Sequence, residues 1–555
     1  MKHARILGMG SALACVAAMG WAIPFDNSSG AVTATVGPNP TDDYPSLAAA
    51  AAAFSAVTPS IEREWTLLIT GDLTETTASY FGNTFGPNGK LIIKPAPATQ
   101  PVVRFQIPTA PAGIYGDLVI GVTNGNLVDG TNDRTSNGNY VIDGSNTPGG
   151  TTRDLTFMVP VGTNDPMVRV LRIWGENHNV VIKNVNVYNY DSSGSGHCIG
   201  LAGGQVGGVS KAPKGTVLEN CLLHAEPLGS TTGYGVDSSN SANGNMIAPD
   251  YMSLTVRDCT IEAKQRGIFL LGVNDADIVG NDILITSGTG TTLTYAGIFS
   301  FNVTTGQYGV TTIRNNSIRM VNIVSTSAGQ GPIGIFVDTG FNVASVEIYN
   351  NLLKEISLPD SGSAADLLYR GISCAPNSAG ITNFLVEHNS INMDAELRVN
   401  GATGGRAAGI TFPTAVTTTG SAVIRNNIVV FREADGTAAG IYLASPTNVV
   451  SEGNNIVSPR AIGRIGSNDY FLLSDWQLAG YDLAATGGQS VDPALTSPAW
   501  DADLHFAYKP ISGLNTVAAS TILTDFDGNA RPASGAVPGA DEPVLNAGVA
   551  DWALF

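Results

Sequence analysis

The fold class this sequence predicts is an all-β solenoid, in which short parallel strands are wound into stacked coils. Three observations carry that prediction. A pair of polar residues, usually two asparagines, returns between apolar ones: "TTIRNNSIRM" at 311–320, "VEIYNNLL" at 346–353, "LVEHNSIN" at 385–392, "AVIRNNIV" at 422–429 and "SEGNNIV" at 451–457. A second marker, a small residue followed by an aliphatic one, recurs once per step: "CIGL" at 198–201, "GVDS" at 235–238, "GIFL" at 267–270, "GIFS" at 297–300, "GIFV" at 334–337, "GISC" at 371–374, "GITF" at 409–412 and "GIYL" at 440–443. On either side of each pair the residues alternate apolar and polar with a period of two, which is strand and not helix.

Taken in chain order, "MKHARILGMGSALACVAAMGWA" places Lys2 and Arg5 ahead of an apolar run and reads as a secretory signal peptide over 1–22. The next segment, 23–60, is expected to be an N-terminal cap, with an Ala-rich helix in "YPSLAAAAAAFSAV". Coils are expected over 61–460, followed by C-terminal coils and a closing segment over 461–555. Anchored on the second residue of each pair, the repeat runs Val185, Cys221, Cys259, Asn281, Asn316, Asn351, Asn389, Asn427, Asn455. The stretch between this anchor and the next glycine marker changes length freely, as one arc of a solenoid coil does.

The asparagines have a physical reason to return. Two strands meeting at a one-residue corner need a left-handed backbone, which Asn tolerates. Corners stacked about 4.8 Å apart also let each side-chain amide bond the next. The sequence therefore predicts a ladder of Asn281, Asn316, Asn351, Asn389, Asn427 and Asn455. The outward position just before the pair alternates in charge on successive coils, Lys183, Glu219 and Arg257, then Glu387 and Arg425. Opposite charges facing each other across neighbouring strands each contribute roughly 0.2–1 kcal/mol.

Composition excludes some functions. Of the 555 residues 13 % are charged, 65 are glycine, and the net charge is −18. Without Lys2 and Arg5 the balance falls to −20, which does not suit a nucleic-acid partner. It also gives no global attraction to a polyanionic polysaccharide. No apolar run after the leader is long enough to span a bilayer, so the expected location is secreted or at the cell surface. Cys198, Cys221, Cys259 and Cys374 are too widely spaced for a CxxC-type metal site and too few for a disulfide framework. Cys221 and Cys259 share the ladder column and are expected to stack there as buried thiols.

This pattern resembles the right-handed parallel β-helix of the pectin lyase-like superfamily. The segment "TVGPNPTDDYPSLAAAAAAFSAV" at 35–57 is similar to that family's capping start, and "YFLLSDWQLAGYDLAATGGQSVDPAL" at 470–495, then "DADLHF" and "DFDGNARPASGAVPGADE", are similar to the closing segments of secreted bacterial members. The resemblance implies that the tail covers the far end of the stack. It also implies that the glycine-marked strand and the arc before it wall any substrate groove.

The candidate site residues were sought on that strand. If the aliphatic residue points inward, the next points out, and the outward column reads Gly200, Asp237, Phe269, Phe299, Phe336, Ser373, Thr411, Tyr442. Phe269, Phe299, Phe336 and Tyr442 are candidate binding residues. Either they form a platform on which sugar rings stack, or the arcs fold over and bury them. His197, Asp191, Asp237 and Arg266 lie near one edge of the same face. A polysaccharide lyase needs a base and a cation to stabilise the enolate, for which His197, Asp237 and Arg266 are the candidates. A glycosidase needs two carboxyl groups at a set distance, and no close pair is legible. The polygalacturonase-like "GSGHCIGLAGG" at 194–204 stands without that family's other signatures. No cofactor is expected. "DFDGN" at 525–529 opens like a calcium loop but lacks the later carboxylate ligand, and is expected to be a tight turn. Two functional readings follow. One is a non-catalytic, adhesin-like envelope rod whose candidate partner is an extracellular polysaccharide; the other is a polysaccharide lyase or glycoside hydrolase. The missing signatures and the acidic balance favour the first.

Overall fold

The structure is a computed structural model that describes residue 25, most of 31–491, and 520–540. Its larger gaps within those spans are 110–115, 122–137, 240–251, 302–308, 326–330, 340–344, 357–367, 377–382, 394–405 and 432–436, and 533–535 also lies outside the described residues. The leader-like segment 1–22 lies outside the described residues. So do most of the arcs, including 394–405.

Period-two alternation becomes three long sheets. Sheet 1 has 13 strands, from Val32–Val36 to Val449–Glu452; sheet 2 has 12, from Leu73–Glu75 to Asn455–Val457; sheet 3 has 13, from Ser79–Phe81 to Asn468–Tyr470. Within each sheet, strands one coil apart pair in parallel, and only the last pair, Ala461–Ile465 with Asn468–Tyr470, is antiparallel. The chain passes from sheet 1 through the asparagine corner to sheet 2, then through the arc to sheet 3. This is the expected parallel β-helix. The first strand, Val32–Val36, already pairs with Glu64–Ile69, so the coils begin inside the stretch expected to be only a cap.

The corner holds two residues with separate tasks. The first residue of each pair takes the left-handed backbone: Asn315, Asn350, His388 and Asn426 have φ of 55°, 55°, 54° and 58°. The second points inward and builds the ladder. Asn316 Nδ2 donates to Asn351 Oδ1 at 3.0 Å, Asn351 to Asn389 at 2.9 Å and Asn389 to Asn427 at 3.0 Å. Each Oδ1 also accepts the backbone N–H of the preceding coil's asparagine, as Asn351 Oδ1 does from Asn316 at 3.1 Å. The column is buried yet fully bonded, so its amides carry no desolvation penalty.

The last rung corrects the expected register. Asn427 Nδ2 donates to Asn454 Oδ1 at 2.9 Å, so Asn454 continues the ladder, while Asn455 is the first residue of the following strand. The shift follows from Gly453, whose φ of 68° makes it the corner residue of "SEGNNIV". Beyond Asn454 the ladder ends on Asp482 Oδ1 at 2.8 Å. A carboxylate suits this place, because a terminal acceptor has no further amide to donate to. On the opposite side Cys259 N donates to Asn281 Oδ1 at 3.0 Å, and Cys221 N to Cys259 Sγ at 3.4 Å. The two free thiols thus stack in the ladder column as expected.

The glycine marker is explained by close approach. A Cβ on Gly297 would lie 2.7 Å from Gly334 O and collide with Ile318, and Gly267, Gly334, Gly371, Gly409 and Gly440 are as crowded. The turn into sheet 3 leaves no room there for a side chain. Of the expected charge alternation, Arg257 meets Glu219 at 2.7 Å and Arg425 meets Glu387 at 3.0 Å, whereas Lys183 pairs with Asp143 at 3.3 Å on the preceding coil.

Helix α1 (Leu47–Ser55) lids the N-terminal end. Ser46 Oγ accepts Ala49 N at 3.1 Å, and the Glu75 carboxylate accepts Leu47 N at 2.7 Å, so the helix start has both a cap and a negative charge. Its Leu47, Ala50, Ala51 and Phe54 are buried, with Phe54 against Phe81, Phe85 and Tyr140. At the far end, α2 (Leu473–Leu478) lays Trp476 over Gly463 and bonds its indole to Asp482 at 2.9 Å. This part of the closing segment covers the end of the stack as the resemblance implied, while residues 520–532 and 536–540 run along the corner: Asn350 Nδ2 donates to Thr524 O at 2.8 Å, and Gly539 N donates to Asn426 O at 2.8 Å.

Candidate functional site

Outward residues of sheet 3 stack in columns because every coil enters the sheet in the same register. One column runs Arg172, Gly200, Asp237, Phe269, Phe299, Phe336, Ser373, Thr411, Tyr442, Arg464. Its neighbour runs Arg169, His197, Tyr234, Arg266, Ala296, Ile333, Arg370. These two columns contain most of the expected site residues.

Phe269, Phe299 and Phe336 form a line along the rod, with ring centroids 5.3 and 4.8 Å apart. All three are half-buried, neither bare nor sealed. The Arg266 guanidinium lies 4.2 Å from the Phe269 ring centroid and 4.6 Å from that of Phe299. Its Nε donates to Thr294 O at 3.3 Å. Burial draws its pKa below the usual guanidinium range, with Tyr234 and Asp237 opposing. Tyr442 occupies the same column but is separated from Phe336 by Ser373 and Thr411, so it does not join the strip. Three strand spacings amount to roughly 14 Å.

One coil toward the N-terminus lies a charged cluster. Asp237 Oδ2 accepts Arg169 Nε at 2.8 Å and a second bond from the same guanidinium, and it meets His197 Nδ1 at 3.0 Å. Burial alone would raise the Asp237 pKa; Arg169 and His197 outweigh it and hold the carboxyl well below the usual range. For His197 burial dominates and depresses the pKa despite the neighbouring carboxylate, so the ring is neutral at pH 7. A neutral ring donating from Nδ1 to Asp237 presents a lone pair at Nε2, which has no partner. The ring packs on Tyr234 with centroids 4.2 Å apart. Yet only 5 % of His197 and 1 % of Asp237 is exposed. The expected base is oriented but closed to solvent.

Asp191 belongs to a different group. Its Oδ1 accepts Asp165 N at 2.9 Å and its Oδ2 accepts Gly194 N at 3.0 Å. Beside it lie two further buried carboxyls, Asp117 and Asp165, a juxtaposition that the sequence did not reveal. Burial first, then the Asp165 charge, pushes Asp117 well above the usual carboxyl range. "YGDLVI" at 115–120 and "TNDPMV" at 163–168 share no pattern that would link them; only coil stacking does. Both carboxyls are buried. Sheet 2 holds another cluster missed in the sequence: His224 meets Glu262 at Nδ1 and Glu226 at Nε2, each at 3.1 Å, beside Tyr188 and Tyr190.

"DFDGN" is a turn. Asp525 Oδ1 accepts the backbone N–H of Asp527 at 3.0 Å and of Asn529 at 2.7 Å, and Gly528 has φ 83°. Among the described residues no group of His, Cys, Asp and Glu is arranged to hold a metal ion, and no helix is long and apolar enough to cross a membrane.

Comparison with known proteins adds little to this geometry. No family profile matches the chain, and no curated protein matches it. Among solved structures, pectate lyase Pel9A is similar over 93 % of this chain and 97 % of its own, at 11 % identity and a TM-score of 0.41. At that level the likeness supports no transfer of residue roles. The stacked parallel sheets themselves establish the parallel β-helix architecture.

Proposed function

We propose that this chain is a non-catalytic rod, secreted or displayed at the cell surface, that holds an extracellular carbohydrate against its third sheet. The observation that carries this reading is the strip Phe269–Phe299–Phe336, three half-buried rings in line and flanked by a cation. A pyranose presents an apolar face of C–H bonds that stacks on such rings, and successive sugars of a chain running along the rod would meet successive coils. The rigid, laddered core keeps the rings aligned without help from the ligand, so little ordering entropy is lost on binding. The test is a panel of polysaccharides bound by wild type and by Phe299→Ala. Binding should weaken about tenfold or more in the variant while the melting temperature stays within a few degrees. A drop of many degrees with unchanged binding would assign the ring to packing and remove the reading.

A second reading is favoured by one specific arrangement: His197 held by Asp237 with Nε2 unpartnered, two coils from Arg266. In a polysaccharide lyase, Nε2 would take the proton beside a uronate carboxylate and Arg266 would stabilise the enolate as the glycosidic C–O bond breaks. The burial of His197 argues against it. The same panel decides, read for unsaturated products and for new reducing ends; products that persist in His197→Ala would exclude this base.

A further inference from the structure

We propose that residues 520–532 and 536–540 form an acid-released strap, with His388 as the element that lets it go. The strap lies along the corner between sheets 1 and 2 and crosses several coils. Asn315 Nδ2 donates to Asp525 O at 3.3 Å, Asn350 Nδ2 to Thr524 O at 2.8 Å, and Ala540 N to Ser390 Oγ at 2.9 Å. Phe526 N bonds back to Ala540 O at 2.8 Å, closing the strap on itself. Arg531 pins it, donating to Asn350 Oδ1 at 2.9 Å, Gly539 O at 3.0 Å and Ala540 O at 2.9 Å. Beneath it the outer face of sheet 2 turns apolar at Leu352, Ile428 and Val430, which pack with Ala540 and the half-buried Phe526.

The corner column under the strap is asparagine at 315, 350 and 426, but histidine at 388. The imidazole is completely buried. Its Nε2 stands 3.4 Å from Asn426 Nδ2 and 3.6 Å from Glu387 Oε1. Three charged groups face it: Glu387 on its own corner, Arg425 from the next coil, and Arg531 from the strap. The corner residue of the preceding coil is the uncharged Asn350. Glu387 is already engaged by Arg425, Nε to Oε1 at 3.0 Å and Nη2 to Oε2 at 3.1 Å. A proton on His388 would therefore place a third cation around one occupied carboxylate, in a buried site. Burial first, then Arg531, holds the His388 pKa well below its ordinary value while the strap is closed.

The sign follows from linkage. Open, the ring titrates near its ordinary value of about 6.5; closed, it resists the proton. The closed form is fully favoured above that pH and loses up to about tenfold in its ratio to the open form for each unit below it. Opening bares the apolar patch on sheet 2 and the corner amides while the coils themselves stay wound.

Hydrogen-exchange mass spectrometry of the full chain at about pH 7.5 and about pH 5, corrected for intrinsic rates, tests this. Peptides spanning 520–540 should lose about tenfold or more in protection at the lower pH, while peptides from 181–225 keep theirs. His388→Asn, which installs the residue used by the sister corners, should hold the strap at both pH values. Equal wild-type protection at both pH values would overturn the proposal, and so would a variant that opens as the wild type does. If the variant fails to seat the strap at neutral pH, an NMR titration of the wild-type His388 ring decides. A ring that titrates near 6.5 with the strap still protected rejects the proposal; a ring that stays neutral until the strap opens supports it.

Discussion

The two residues of each corner look alike in sequence and do different work. Asn350 bends the chain at φ 55° and offers its amide outward; Asn351 follows it inward and bonds the coils on either side. Replacing Asn351 by Leu keeps the volume but strands the Asn316 backbone N–H, which donates to Asn351 Oδ1, and leaves Ile313 O and Tyr349 O without the donor that Asn351 Nδ2 supplies. Leaving buried polar groups unmet costs about 1–3 kcal/mol each, so the variant should lose about 2–5 kcal/mol in urea unfolding. Leu478→Ser on the surface, where the residue is 92 % exposed, should change stability by less than about 0.5 kcal/mol. Equal midpoints for the two variants would contradict the ladder's energetic role.

At the scale of the strand, the glycine marker reflects how closely sheets 2 and 3 approach. Gly297 has no positive φ to demand it; its constraint is the Gly334 carbonyl and the Ile318 side chain, which fill the place of a Cβ. Gly297→Ala should therefore cost about 1–3 kcal/mol by overpacking, more than the slight gain in strand propensity returns. An unchanged unfolding midpoint would show that the turn has slack. The same crowding has a functional consequence. It fixes the register of the strand two residues on, and so keeps Phe269, Phe299 and Phe336 in line.

The whole molecule is a stack in which each coil touches chiefly its neighbours, so its ends matter more than its middle. Trp476 is fully buried at the C-terminal end, stacked on Tyr481 at 4.5 Å and bonded to Asp482, where the ladder stops. Trp476→Ala should cost about 3–5 kcal/mol, lost locally. Hydrogen exchange should rise first over 437–470 and leave 181–225 protected, whereas a uniform rise along the rod would indicate a single cooperative unit.

The sequence by itself determined the repeating parts of this protein. Period-two alternation, the Asn pairs and the small-aliphatic marker act within one coil and recur on the next, so a local rule read once applies at every rung. The ladder column, the outward Phe strip and the stacked thiols were all legible for that reason. Even there a one-residue ambiguity survived at the last rung, because "GNN" allows two registers and only the turn at Gly453 chooses Asn454 over Asn455. Tertiary structure decided what depends on contacts between coils far apart in sequence or between the rod and its tail. Asp117 and Asp165 are brought together as buried carboxyls through stacking; His197 is oriented by Asp237 yet sealed; residues 520–532 and 536–540 lie along the side of the rod. No local periodicity encodes such encounters, since each is fixed by where two otherwise ordinary segments arrive once the coils are wound.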